Sequence, residues 1–304
     1  MPSSAPRANA MRFVDPHILS RIGNLELVAR RVVEGFISGL HRAVHLGVST
    51  DFAEHRLYTP GDDLRRLDWR VYARTDRLFI KTFEAETNAD LVCVLDISRS
   101  MDFTSHALNK LDYARFLAAS LTHLGARQRD RVALAAFDHE LREWVPPAAR
   151  HRDTVMRALD RLEATTAGEV VMPLRKLASL LKRRSIVVVI SDFYAQPGVL
   201  ADAFAALRAA GHDLIVMQIL DPLELDFSLE QAGVLDDLET GERVPVDPGK
   251  IRHHYLELVR EHTRTLESDC ARQGIDFQCL NTSQPLDHAL FRYLSQRARL
   301  ARVR

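Results

Sequence analysis

The sequence predicts an α/β fold: a doubly wound, mostly parallel sheet with helices on both faces and one antiparallel edge strand. Three observations predict it. From about residue 89 onward, apolar runs of strand length alternate with stretches whose apolar residues recur at i, i+3 and i+4. Several runs are apolar at every position, the pattern of a strand covered on both faces. Only residues 138–140 separate the second run from the third, too short a gap for a crossover and well suited to a hairpin.

The strand-like runs are 91–95, 131–137, 141–145, 186–191, 214–220 and 275–280. Between the first two, Tyr113, Phe116, Leu117, Leu121 and Leu124 form a helical stripe, with Gly125 placed as its stop. Further helices are expected over 154–162, 174–181, 199–207 and 255–266, and a last one over 287–299. Residues 221–249 interrupt the alternation with Pro222, Pro245 and Pro248. A turn between 234–238 and 243–246 makes this a small inserted β-hairpin. Residues 1–88 differ in character: a helix near 24–40, then a charge-dense stretch, then a short alternating strand at 78–86. The expected organisation is therefore an N-terminal segment, 1–88, and a main domain, 89–304, carrying the hairpin insertion.

Composition bounds the function. The apolar fraction of 46% supports a substantial core. Lys and Arg number 41 and so do Asp and Glu, which argues against a chain built to grip nucleic acid or an anionic membrane. Cys93, Cys270 and Cys279 show no paired spacing, and Cys93 lies inside a strand, as expected of reduced thiols. The N-terminal residues lack an apolar signal region, and no run approaches the ~18 apolar residues of a membrane span. A cytoplasmic protein without membrane insertion is expected.

The chemistry concentrates where the first strand ends, in Leu95-Asp-Ile-Ser-Arg-Ser-Met. Asp96, Ser98 and Ser100 put three hard oxygen groups on one loop at the carboxyl edge of the sheet, where open α/β sheets bind ligands. Such groups suit Mg²⁺ or Mn²⁺, Mg²⁺ taking oxygens at roughly 2.0–2.1 Å. The bland alternative is a strand end capped by small polar residues. Asp192, ending a second apolar strand, favours the metal reading. No Gly-x-Ser-x-Gly surrounds either serine, so no catalytic residue is assigned. No Gly-x-x-x-x-Gly-Lys-Ser/Thr occurs either, so the chain has no phosphate-binding loop of its own.

Two passages resemble a known family. Arg56-Leu-Tyr-Thr-Pro-Gly-Asp-Asp-Leu-Arg-Arg-Leu-Asp-Trp-Arg-Val-Tyr-Ala-Arg, followed by Leu78-Phe-Ile-Lys-Thr-Phe-Glu-Ala-Glu, resembles the signature of the bacterial domain-of-unknown-function family fifty-eight. The 95–101 passage resembles the first segment of the von Willebrand factor A domain that this family contains, and Ile190-Ser-Asp-Phe fits its pattern too. The resemblance spans about residues 39–280. It implies a strand order of 3-2-1-4-5-6 and a metal-ion-dependent adhesion site built from Asp96, Ser98, Ser100 and Asp192. The sequence departs at the second segment, Ala164-Thr-Thr-Ala-Gly-Glu-Val-Val-Met, where Glu169 falls at the usual Thr position; Glu169, or Thr165 or Thr166 after a loop shift, would complete the set.

The resemblance further implies association with AAA+ ATPases of the MoxR type, as an adaptor or co-chaperone. The leading expectation is thus a divalent-metal-dependent protein–protein interaction module whose ion leaves one position for an acidic side chain of a partner. Two alternatives stand beside it: a metal-dependent hydrolase of phosphate esters or peptides, and a metal-free interaction scaffold.

Overall fold

The computed structural model describes residues 24–44, 55–57, 79–81, 89–165, 168–229, 231–238, 241–286, 289–290 and 293; over 38–44, 55–57 and 79–81 it describes the backbone alone. The chain divides into two compact units. One contains the first half of helix α1 (Leu25–Val44), as far as Phe36, together with 88–304; the other covers 37–87. In the smaller unit, β1 (His55–Leu57) pairs antiparallel with β2 (Phe79–Lys81). The charged passage 61–74 and Thr166 lie outside the described residues.

The larger unit is built on a six-stranded sheet. Its strands are β3 (Asp90–Asp96), β4 (Arg131–Phe137), β5 (Leu141–Ala148), β6 (Ser185–Ser191), β7 (Asp213–Leu220) and β10 (Asp276–Asn281). Their order is β10-β7-β6-β3-β4-β5, with only the β4–β5 pair antiparallel among the six. Numbered within the unit, this is the expected 3-2-1-4-5-6. The chain leaves β3 toward one edge and returns beyond it to start β6, so the ends of β3 and β6 lie side by side at the switch point.

The helices that cover the sheet follow from the sequence. They are α2 (Lys110–Arg127), α3 (Arg152–Asp160), α4 (Val171–Leu180), α5 (Pro197–Ala209), the short α6 (Pro222–Asp226) and α7 (Pro248–Arg272). Helices α5, α6 and α7 each begin with Pro, whose fixed φ and missing N–H suit a first helical position. Asn109 caps α2, its side chain accepting from the Asp112 amide at 2.7 Å.

Alternate residues of the buried strands serve opposite faces. Val92, Val94, Val187, Val189, Leu214 and Val216 form one cluster with Leu174, Leu177, Leu200, Phe204 and Leu266 from α4, α5 and α7. On the other face, Leu91 and Cys93 meet α2: the Cys93 thiol reaches the Ala118 carbonyl at 3.8 Å. Gly125 corrects an expectation. It does not stop α2, which runs on to Arg127; a Cβ there would stand 2.7 Å from Leu91 Cδ2. Its smallness lets the helix lie close on the strand.

The hairpin insertion is present as β8 (Gly233–Asp236) and β9 (Arg243–Val246). All four β8 residues are exposed, so both of its faces look outward.

Candidate functional site

The ends of β3 and β6 and the start of α2 meet at the carboxyl edge. Asp96 is the last residue of β3, and Ser98 and Ser100 follow on a loop that enters a single turn of 3₁₀ helix, Arg99–Asp102. Ser191 ends β6, and Asp192 follows it. Asp96, Ser98 and Asp192 are all buried.

The Asp96 carboxylate is held on both sides. Its Oδ1 accepts from the Ser98 amide at 2.8 Å, and its Oδ2 accepts from the Ser191 hydroxyl at 2.6 Å. Burial, and then the nearby Asp192 charge, push its pKa well above the ordinary carboxylate range, against the pull of those bonds. The Ser98 and Ser100 hydroxyls lie 3.1 Å apart beside it.

Asp192 faces an internal cation. Lys110, at the first position of α2, is fully buried, and its Nζ lies 2.8 Å from Asp192 Oδ2 and 2.7 Å from Glu224 Oε1. The Phe103 and Tyr194 rings stand 5.8 and 5.0 Å from the same nitrogen, a distance suited to cation–π attraction. Burial works against the ammonium, but Asp192 and Glu224 outweigh it and hold the lysine pKa above its ordinary value. Glu224 also belongs to the capping box of α6: it accepts from the Asp221 amide at 2.7 Å while Asp221 accepts from Leu223. Burial raises its pKa, and Lys110 pulls it back.

The backbone after Asp192 is unusual. Phe193 adopts φ 56°, the left-handed region that a bulky residue rarely enters. A conformation of this kind costs about 1–3 kcal/mol and persists only where its surroundings fix it. Here they do. The Phe193 amide donates to Ser191 Oγ at 3.0 Å, its carbonyl meets His262 Nε2 at 2.8 Å, and its buried ring packs edge-on against Phe204. This turn sets the direction of Asp192.

The second-segment loop takes a course the sequence did not foresee. Glu169 does not turn to Asp96: its carboxylate accepts from the Val171 and Met172 amides, at 2.9 and 3.0 Å, in the first turn of α4. The physical reason is the orphan amides of the helix start, which favour a carboxylate. Thr165 also has other work. Its hydroxyl donates to Asp138 Oδ2 at 2.7 Å and its amide to the Ile97 carbonyl at 2.9 Å, which ties the loop to the ends of β3 and β4. Gly168 is what approaches the site: a Cβ there would lie 2.6 Å from Ser98 Cβ and 3.7 Å from Asp96 Oδ1.

The donor chemistry decides how far these residues suit Mg²⁺ or Mn²⁺. Asp96, Ser98 and Ser100 are hard donors on one loop. Asp192 is paired with Lys110 and Glu169 with the first-turn amides of α4, so a divalent ion would have to compete with Lys110 for the one and with the helix for the other. As a set they do not fit a resident divalent ion.

Lys110 is the site residue that the sequence reading missed, although a signal was present. It falls in phase with Tyr113, Leu117 and Leu121 on the buried stripe of α2, and it opens the helix where the macrodipole disfavours a cation. A lysine in such a place needs buried carboxylates to hold it.

Known proteins extend this picture. The chain is 26% identical over 292 residues to uncharacterized proteins of Mycobacterium bovis and Mycobacterium tuberculosis, covering 94% of this chain and 91% of each relative. Among solved structures it resembles the conserved hypothetical protein BatB of Bacteroides thetaiotaomicron, with TM-score 0.49 and 16% identity over 69% of this chain and 99% of that one. It also resembles the VWA domain of SpRpn10, with TM-score 0.40 and 11% identity over 66% and 93%. The fold itself rests on the strand order: a mostly parallel sheet of von Willebrand factor A type with one antiparallel edge. The family described as protein of unknown function DUF58 matches residues 54–265, well over half of the sequence, and the chain belongs to that family.

Proposed function

We propose that this protein is a protein–protein interaction module, an adaptor or co-chaperone for a MoxR-type AAA+ ATPase, working in the cytoplasm. The observation that carries this reading is the state of the carboxyl edge. Its buried acids are occupied, Asp96 by Ser191 and the Ser98 amide, Asp138 by Thr165 and Arg142, Asp192 by Lys110, and Asp221 by Ser105 and the Leu223 amide, which leaves no free pair for acid–base chemistry among them. What the edge offers outward is the loop carrying Arg99 and the half-buried Ser100, a surface for docking. Among the described residues no helix is long and apolar enough to cross a membrane. The sequence carries no phosphate-binding loop, so on this reading ATP hydrolysis belongs to the partner.

A pull-down of a MoxR-type ATPase with the purified chain tests the proposal. Capture is expected to be equal with and without EDTA, and to fall when Ser100→Lys places a bulky cation on the loop. Absence of capture under every condition sinks the adaptor reading. Capture that disappears with EDTA restores the Mg²⁺- or Mn²⁺-dependent mode, in which a bound ion reaches an acidic side chain of the partner.

A further inference from the structure

We infer that the Lys110 ammonium is the resident cation of the carboxyl edge, a built-in counter-ion that makes a divalent metal unnecessary and shuts it out. The inference goes beyond the adaptor role and does not depend on it.

Four contacts define a made cation site around Nζ: Asp192 Oδ2 at 2.8 Å, Glu224 Oε1 at 2.7 Å, and the Tyr194 and Phe103 ring faces at 5.0 and 5.8 Å. Lysine is among the residues least often fully buried, and here its relative exposure is 0%. A cation so deeply desolvated is stable only when paired and hydrogen-bonded, and both conditions are met. The position is also fixed by covalent geometry. Lys110 is anchored at the capped start of α2, so the charge cannot leave by diffusion as a bound ion can.

The same arrangement excludes a second cation. An ion shared between Asp96 and Asp192 would sit beside an ammonium already drawn to the Asp192 carboxylate, and like charges repel strongly where water is absent. The other acids of the neighbourhood are engaged too, Glu224 by Lys110 and the Asp221 amide, and the Asp221 carboxylate by the Ser105 and Leu223 amides. The Lys110 charge also links elements that are distant in sequence. It joins the start of α2 to the end of β6 and to α6, which follows β7. One side chain thereby does the structural work of a metal: its single charge pairs with two carboxylates and ties three elements together.

Calorimetric titration with Mn²⁺ and thermal melts test this on wild type, Lys110→Met and the double variant Lys110→Met/Glu224→Gln. The double variant keeps the experiment decisive if the single one fails to fold, because it removes one of the two carboxylates that the loss of Lys110 leaves uncompensated. Wild type is expected to give no saturable heat and no change in melting temperature at submillimolar Mn²⁺. The folded variants are expected to bind the ion at least roughly tenfold more tightly and to melt higher in its presence. Adding Asp192→Asn to the double variant is expected to abolish that response and so to place the ion beside Asp192. Saturable submillimolar binding by wild type overturns the inference, as do variants as insensitive to Mn²⁺ as wild type. Failure to capture an ATPase bears on the adaptor reading alone.

Discussion

Gly168 shows how little room the site has. A methyl group added there would meet Ser98 Cβ at 2.6 Å, and neither atom belongs to a flexible side-chain end. Gly168→Ala is therefore expected to push the second-segment loop off the Asp96 loop at a cost of ~1–3 kcal/mol, the usual range for overpacking. Urea unfolding reads this directly, and unchanged stability would mean that the loop is not seated on Ser98. His212 makes a second residue-scale case. It is buried, and neither of its ring nitrogens has a hydrogen-bond partner among the described residues. Burial, opposed in part by the Asp213 charge, lowers its pKa below 6.5. The unfolded chain takes up a proton near that pH and the folded protein resists it, so stability is lost as pH falls below 6.5 and the loss levels off below the depressed folded value. His212→Leu is expected to gain on wild type as melts move from about pH 7.5 to about pH 5.5. An advantage independent of pH would show that the ring is not the titrating group. The site was half legible at this scale. Asp96, Ser98, Ser100 and Asp192 stand in recognisable strings, whereas the Lys110 pairing joins residues 82 and 114 positions apart, and only the topology brings them together.

The central strand carries the fold at the scale of elements. β3 is flanked by β4 and β6, and all seven of its residues are buried. Leu95→Asp would put an unpaired charge between two neighbours with no water to receive it, a cost of several kcal/mol that rivals the net stability of a domain. Ser98→Ala removes one hydroxyl after the strand and leaves its amide bond to Asp96 intact, so it is expected to cost about 1 kcal/mol or less. Thermal melts that ranked the two variants alike would contradict the position of β3 in the sheet. The elements were legible because buried parallel strands are apolar throughout and their helices keep a 3.6-residue period, signals strong enough to survive the loss of tertiary context. Gly125 was misread because a glycine near the end of a stripe has two meanings. One is a left-handed stop, the other a close helix–strand approach, and only the 2.7 Å distance to Leu91 separates them. The left-handed turn at Phe193 had no signal at all, since nothing about a phenylalanine announces a positive φ.

At the scale of the whole molecule, the first half of α1 decides how the protein divides. Leu25, Val28, Ala29, Val32, Val33 and Phe36 are buried, a stripe at helical spacing, and they belong to the same compact unit as residues 88–304 although the chain from 37 to 87 intervenes. Glu26 adds an ion pair to Arg152 of α3 at 3.1 Å, but both partners are well exposed, and such pairs contribute little. The apolar face is what matters. Five of the six side chains are larger than alanine, and each contributes on the order of 1.5–3 kcal/mol when fully buried, an upper bound because unfolded chains are partly compact. Their sum is comparable to the ~5–15 kcal/mol by which whole domains are stable. A fragment of residues 88–304 is therefore expected to melt without a cooperative transition, or to associate through the face it leaves uncovered. A peptide of residues 22–40 added in trans is expected to restore a cooperative melt, and the same peptide with Val28→Asp and Val32→Asp is not. If the 88–304 fragment alone melted as cooperatively and at the same temperature as the full chain, α1 would be an accessory to the sheet and not part of its core.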